Sequence, residues 1–192
     1  MKPAGQGTRE EYEQLKEVGL RSEQIRAGRI LDMRLDEVRI YNGQTATREL
    51  VRHVGAVCVV PVTDDGQVIL ERQYRYPIDK VLTEIPAGKL DYAGEDPLEA
   101  AKRELHEETG FRADEWISLG DFYPAAAYSD EHIRVFLARG LHAGERDLDP
   151  DENINLFTLP LDEAVDRVMA GEVPDGKTQM ALLKAAKYLT DE

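Results

Sequence analysis

The chain predicts an α+β fold: a mixed β-sheet sandwiched between helices, with an antiparallel β-extension at the N-terminus. Strand-like runs flank one strongly signalled internal helix, two helical patterns close the chain, and no internal repeat suggests a regular parallel βαβ array. At 192 residues the chain suits one domain with a substantial core and a short appendage. Its formal net charge of −14 argues against binding nucleic acid or an acidic membrane through a basic surface. An anionic substrate must therefore be met by metal ions or a local Arg cluster.

Each element has its own signal. Residues 8–20 carry Tyr12, Leu15 and Val18 among charges, a helical period. Apolar residues then alternate through Ile30, Met33, Leu35, Val38 and Ile40, and Asn42-Gly43 marks a tight hairpin turn. The apolar run from Ala56 to Val62 suits a strand buried on both faces, with Cys58, the only cysteine, as a buried structural thiol. Asp64-Asp65-Gly66 turns the chain back into "QVILERQYRYP", and a further short strand ends at Pro86.

Asp96-Pro97 starts a helix that runs to Thr109, with Leu98, Ala101 and Leu105 facing inward and Gly110 ending it. Strands are expected at 118–123, 133–138 and 154–159. The closing patterns are "LDEAVDRVMAG" and "KTQMALLKAAKYLTDE", the second packing through Met180, Leu183, Ala186 and Tyr188. The N-terminus lacks the apolar core of a signal peptide, and no run approaches the roughly 20 apolar residues of a membrane span, so a cytoplasmic location is expected.

Within the internal helix, "RELHEETG" sets Glu104, Glu107 and Glu108 three and four residues apart, on one helical face. Like charges at that spacing repel. The pattern suits either a solvated acidic face or a site for a hard divalent cation.

From Gly88 to Phe111, "GKLDYAGEDPLEAAKRELHEETGF" resembles the Nudix box: Gly, five residues, Glu, seven residues, then Arg-Glu-aliphatic-x-Glu-Glu-x-Gly-hydrophobic. Glu95, Arg103, Glu104, Leu105, Glu107, Glu108, Gly110 and Phe111 fall at the family spacing. The departure is one extra loop residue, six and not five between Gly88 and Glu95. The resemblance implies the Nudix fold and Mg²⁺, or Mn²⁺, held by Glu104, Glu108, Glu107 and the Ala87 carbonyl. It also implies a catalytic set of Glu95, Arg103, Glu107 and Glu152, with Arg103 pairing Glu95. Glu152 comes from the acidic loop "AGERDLDPDENINL" as general base, and Glu107 competes for that role. His106 is expected to point off the acidic face as a solvated residue.

Outside the box, "GAVCVVPVTDDGQVILERQYRYP", "LTEIPAGKL" and the tail "GEVPDGKTQMALL" look like the ADP-ribose pyrophosphatase and nucleoside-diphosphate-sugar hydrolase branch. That likeness implies a homodimer, with 1–27 a partly helical extension, 28–55 strands for dimerisation and substrate binding, and 56–192 the catalytic domain. Arg75 and Arg48 are candidates for diphosphate or ribose contacts, Arg being suited to bidentate binding. Tyr76, Tyr41 or Tyr92 would stack the base. Ala126 stands where the branch's ADP-ribose enzymes carry Pro, which favours a wider range of nucleoside diphosphate sugars. The alternatives are hydrolysis of nucleoside triphosphates or diadenosine polyphosphates, or a non-catalytic nucleotide sensor. No nucleic-acid or membrane partner is expected.

Overall fold

Thr8 opens the first helix with a capping box: its hydroxyl accepts the Glu11 N–H, and the Glu11 carboxylate accepts the Thr8 N–H. In the computed structural model, which describes residues 7–191, this helix is α1 (Arg9–Leu15), shorter than the helix expected over 8–20. Residues beyond it form β1 (Val18–Ala27), which pairs antiparallel with β2 (Asp32–Arg39), itself paired with β3 (Thr45–Arg52). Gly19 disfavours helix continuation, and pairing with β2 satisfies the backbone instead. The β2–β3 turn falls at Asn42-Gly43 as expected, with Gly43 at φ 82° and the Ile40 N–H donating to the Gln44 carbonyl.

Residues 7–53 and Ala125–Glu131 cluster as one compact unit. Val51 N–H donates to the Tyr128 carbonyl, and Arg52 reaches the Asp130 carboxylate at 2.9 Å. All of β1 is exposed, including Val18, Leu20 and Ile25, while Val38 of β2 is buried.

The second unit, Val54–Pro124 with 132–191, holds the main core. Its strands are β4 (Ala56–Pro61), β5 (Gln67–Arg75), β6 (Lys80–Glu84), β7 (Ala87–Lys89), β8 (Arg112–Phe122), β9 (Ile133–His142) and β10 (Ile154–Pro160). The helices are α2 (Pro97–Thr109), α3 (Leu161–Met169) and α4 (Gly176–Asp191). One sheet runs β7-β4-β9-β8 with β4 and β9 parallel, and the other runs β10-β5-β6, antiparallel. Strand alternation then sorts β4 into two layers. Ala56, Cys58 and Val60 join the core cluster that holds Ala181 and Leu182 of α4 and, further out, Ala164 of α3, whereas Val57 and Val59 join Ala100, Ala101 and Leu105 of α2. The strand is buried on both faces, as its composition predicts. Burial also pushes the Cys58 thiol up to about 12, which removes it as a nucleophile.

Two further boundaries and one face differ from expectation. β8 begins at Arg112 and not near 118, because its first residues alternate charged and half-buried positions that read as loop. β9 continues four residues past Ala138, to His142. On α4 the buried stripe is Thr178, Ala181, Leu182 and Ala185, with Met180 and Leu189 half-buried beside it, while Leu183 and Tyr188 are exposed. Small residues let the helix lie close to β4, so bulk is a misleading guide to the inner face. Leu182→Ala should therefore cost about 2–5 kcal/mol. Leu183→Ala should stay within about 0.5 kcal/mol, both read by denaturant unfolding.

Candidate active site

α2 begins where Asp96 accepts the Leu98 and Glu99 N–H groups, with Pro97 at the first helical position. It ends at Gly110, whose φ of 78° suits glycine and whose added Cβ would lie 2.6 Å from the Gly144 carbonyl oxygen. Between these caps the helix presents Glu104 and Glu108, both buried, and the half-buried Glu107. Arg103 Nη1 lies 2.8 Å from Glu104 Oε1 and 3.0 Å from Glu107 Oε2. Ala87 N–H donates to Glu108 Oε2 at 2.9 Å, tying β7 to the acidic face. Gly88 makes a closer approach: a Cβ there would lie 2.0–2.3 Å from the Glu104 carboxylate atoms.

Two more carboxylates lie in the sheet. Glu71 of β5 and Glu84 of β6 are directly paired across the strands, and each is 1% exposed. Glu84 is well compensated. Arg75 binds it bidentately at 2.7 Å through Nε and Nη2, and the Lys177 ammonium binds it while holding Asp175 at 3.0 Å. Thr178, next to Lys177, accepts the Ile85 N–H and donates to Asp175, which fixes the start of α4 against the end of β6. Glu71 has no such partner, and both its carboxylate oxygens are buried without a hydrogen bond.

The charges follow this geometry. Burial pushes the Glu104 carboxyl up to about 7 against the opposing pull of Arg103. Glu71 is likewise raised to about 7, by burial and then by Glu84, and Glu108 is driven well upward by burial and then by Glu71 and Glu104. Burial also raises Glu84, but Arg75 and Lys177 outweigh it and hold the group below the ordinary carboxylate range. Glu152, in the loop before β10, is raised by burial and feels Glu107; its own charge acts on Glu71, Glu104 and Glu108.

This donor set fits a hard divalent cation: several carboxylates, a close backbone approach at Gly88, and buried oxygens with no donor to neutralise them. Among the described residues, no three acidic, His or Cys side chains stand close enough to cage an ion.

The NUDIX domain family matches residues 51–181. The chain belongs to the Nudix family. It is 41% identical to the ADP-ribose pyrophosphatase of Bacillus subtilis (strain 168) over 88% of this chain and 91% of that one. It is also 41% identical to the methanol dehydrogenase activator of Bacillus methanolicus, over 87% of this chain and 91% of the relative. The crystal structure of an ADP compounds hydrolase superposes with a TM-score of 0.80, covering 92% of this chain and 95% of that one at 24% identity, a likeness of fold.

Within this Nudix site Glu104, Glu107 and Glu108 share α2, with Arg103 bonded to the first two and the Ala87 N–H to the third. The expected Arg103–Glu95 pair is the loosest of the Arg103 contacts at 3.7 Å; Glu95 instead accepts the Asp91 N–H at 2.7 Å and closes the lengthened loop. His106 is half-buried with its Nδ1 shielded, not fully solvated as expected. Arg48 lies in the N-terminal unit, where it pairs Glu17 at the surface, and Tyr76 is 83% exposed on the turn after β5. Sequence reasoning missed Glu71, Glu84 and Arg146. Arg146 donates through Nε to the Glu108 carbonyl and through Nη2 to the Ile154 carbonyl, and Asp147 N–H donates to the Glu107 carbonyl. The loop bearing Glu152 is thus fastened to the C-terminal turn of α2.

Two outcomes are expected. Because Glu71 and Glu104 are raised above the ordinary 4.5 to about 7, the metal-free fold binds more protons than the unfolded chain in that window. The contribution of these two groups to stability should be fullest below 4.5 and be lost as pH rises through about 7, with Mg²⁺ restoring it, as thermal unfolding across pH 5–8 with and without Mg²⁺ would report. Gly88→Ala should displace the Glu104 carboxylate and lower metal-dependent turnover by about 10²-fold, with secondary structure retained by circular dichroism.

Proposed function

We propose that this Nudix hydrolase cleaves the diphosphate of nucleoside diphosphate sugars, ADP-ribose among them, releasing a nucleoside monophosphate and a sugar phosphate. The observation that carries it is the buried, under-neutralised carboxylate cluster of Glu71, Glu104 and Glu108 on a complete Nudix box. The 41% identity to an ADP-ribose pyrophosphatase over nearly the whole chain supports the substrate class.

Glu104, Glu107, Glu108 and the Ala87 carbonyl would hold Mg²⁺, with Mn²⁺ as a substitute. When bound, that cation would offset the charge of the diphosphate and lower the pKa of the attacking water. The chain's own groups do the rest. Glu152 accepts the proton from water, its basicity raised by burial, and Glu107 is the second candidate for that role. Arg103 bridges Glu104 and Glu107 through Nη1 and offsets their mutual repulsion. Glu95 orders the loop that leads into α2. Arg75, with Nε and Nη2 committed to Glu84, turns Nη1 toward a phosphate oxygen, and Tyr76 offers its open ring to the base.

We also read β1–β3 as a homodimerisation unit that brings Arg48 to a partner's substrate. A three-stranded sheet with Leu20, Ile25 and Met33 exposed needs a second surface, and another copy supplies one. A cytoplasmic setting suits such a substrate.

The test is phosphate release, coupled to a phosphomonoesterase, from ADP-ribose, ADP-glucose, GDP-mannose, UDP-glucose and ATP, with and without Mg²⁺. Cleavage of the sugar diphosphates with Mg²⁺ alone is expected, and cleavage confined to ATP would overturn the reading. Glu108→Gln should lower kcat/KM by more than about 100-fold, since even outer partners of a metal ligand contribute 10–100-fold. Light scattering should give twice the chain mass.

A further inference from the structure

Glu71 stands apart from the residues of the Nudix box. It follows Val68, Ile69 and Leu70 on β5, all buried, at a position where the strand's pattern calls for another apolar side chain. Its cross-strand partner is Glu84, so two carboxylates share one face of the β5–β6 ladder with Cβ atoms roughly 5 Å apart. Like charges placed this way destabilise a sheet, and a buried carboxylate without a hydrogen bond is unfavourable unless it is paired or bound to metal.

The nearby cations are committed elsewhere. Arg75 gives Nε and Nη2 to Glu84, Lys177 is held between Glu84 and Asp175, and Arg103 is bound to Glu104 and Glu107. Both Glu71 oxygens therefore remain unpaired at 1% exposure. Glu71 stands opposite Glu84, three residues before Ala87, whose N–H holds Glu108, and this register sets it beside the acidic face of α2; of the neighbouring charges it acts most strongly on Glu108. Glu108 keeps one oxygen on the Ala87 N–H and Glu104 is held by Arg103, so each has a partner that constrains its turn toward an ion. Glu71 has none to release.

We propose that Glu71 is a further carboxylate ligand of the divalent-cation site, contributed by β5 to complement the glutamates of α2. The inference rests on the metal-dependent reading above. It also accounts for a charged side chain in an apolar strand: without the ion Glu71 opposes folding, and with it the position supplies an oxygen that the box lacks.

The decisive measurement is Mn²⁺ binding to the full chain, by calorimetry and by electron paramagnetic resonance, for the unaltered protein, Glu71→Gln and Glu71→Leu. Tm is recorded with and without Mg²⁺. Glutamine keeps the shape and hydrogen-bonding capacity of a protonated carboxyl, and leucine satisfies the apolar surroundings. The expected result is Mn²⁺ affinity weakened at least tenfold in both variants, a metal-free Tm equal to or above that of the unaltered chain, and a smaller rise in Tm with Mg²⁺. Unchanged Mn²⁺ affinity and stoichiometry in Glu71→Gln overturn the proposal, leaving Glu71 as a protonated group that only donates to a neighbour. Failure of both variants to fold without metal also overturns it, because the carboxylate would then serve the fold itself. Absence of Mn²⁺ binding by the unaltered protein removes both this proposal and the metal reading beneath it.

Discussion

The catalytic unit is organised around negative charge that its own cations do not balance. Glu71, Glu84, Glu104 and Glu108 are all buried, and Arg75, Lys177 and Arg103 satisfy only part of that set. Taking a carboxylate out of water is unfavourable unless partners replace the lost hydration. The fold supplies those partners unevenly. Glu84 receives a bidentate Arg and a Lys, Glu108 one backbone N–H, and Glu71 nothing. This gradient separates a structural carboxylate, held ionised below its ordinary range, from neighbours held above theirs and able to exchange protons for a cation.

The surrounding elements are positioned by the same contacts. Lys177, Asp175 and Thr178 join α4 to Glu84 and to the Ile85 N–H, so the end of β6 cannot shift without disturbing the final helix. At the other end of the site, Arg146 and Asp147 bond the last carbonyls of α2, where a positive group also complements the helix dipole. A loop that reads in sequence as a free acidic segment is thereby fixed near both ends: Arg146 also bonds Ile154, and the Glu152 side chain accepts the Asp149 N–H. Glu152 is carried on a short bridge between α2 and β10.

Legibility in sequence tracked how local the determining physics is. The caps of α2, the Asn42-Gly43 turn and the buried run of β4 depend on residues within a few positions of one another, and each appears where expected. The inner face of α4 depends on close approach to β4, and small residues there carry no hydrophobic signal. β1 depends on pairing with β2 across a turn, which the helical spacing of Tyr12, Leu15 and Val18 concealed. The tail "GEVPDGKT" was legible as a pattern but not as a role, because its Lys177 meets Glu84 from 93 positions away. Glu71 was passed over for the same reason, since only the β5–β6 register sets it against Glu84.

Arg75 and Arg48 show how the same chemistry divides once the contacts are known. Both are Arg residues suited to a phosphate, and both are paired with Glu. Arg48 pairs Glu17 at the surface, an interaction worth little in water, so an incoming anion can displace it with small loss. Arg75 neutralises a carboxylate that is 1% exposed, and removing it would strand a buried charge. Any phosphate it binds must therefore be met by the N–H groups that Glu84 leaves over, two on Nη1 and one on Nη2, with Glu84 still in place. That constraint makes Arg75 a fixed group beside Glu84 and leaves Arg48 the more easily released of the two.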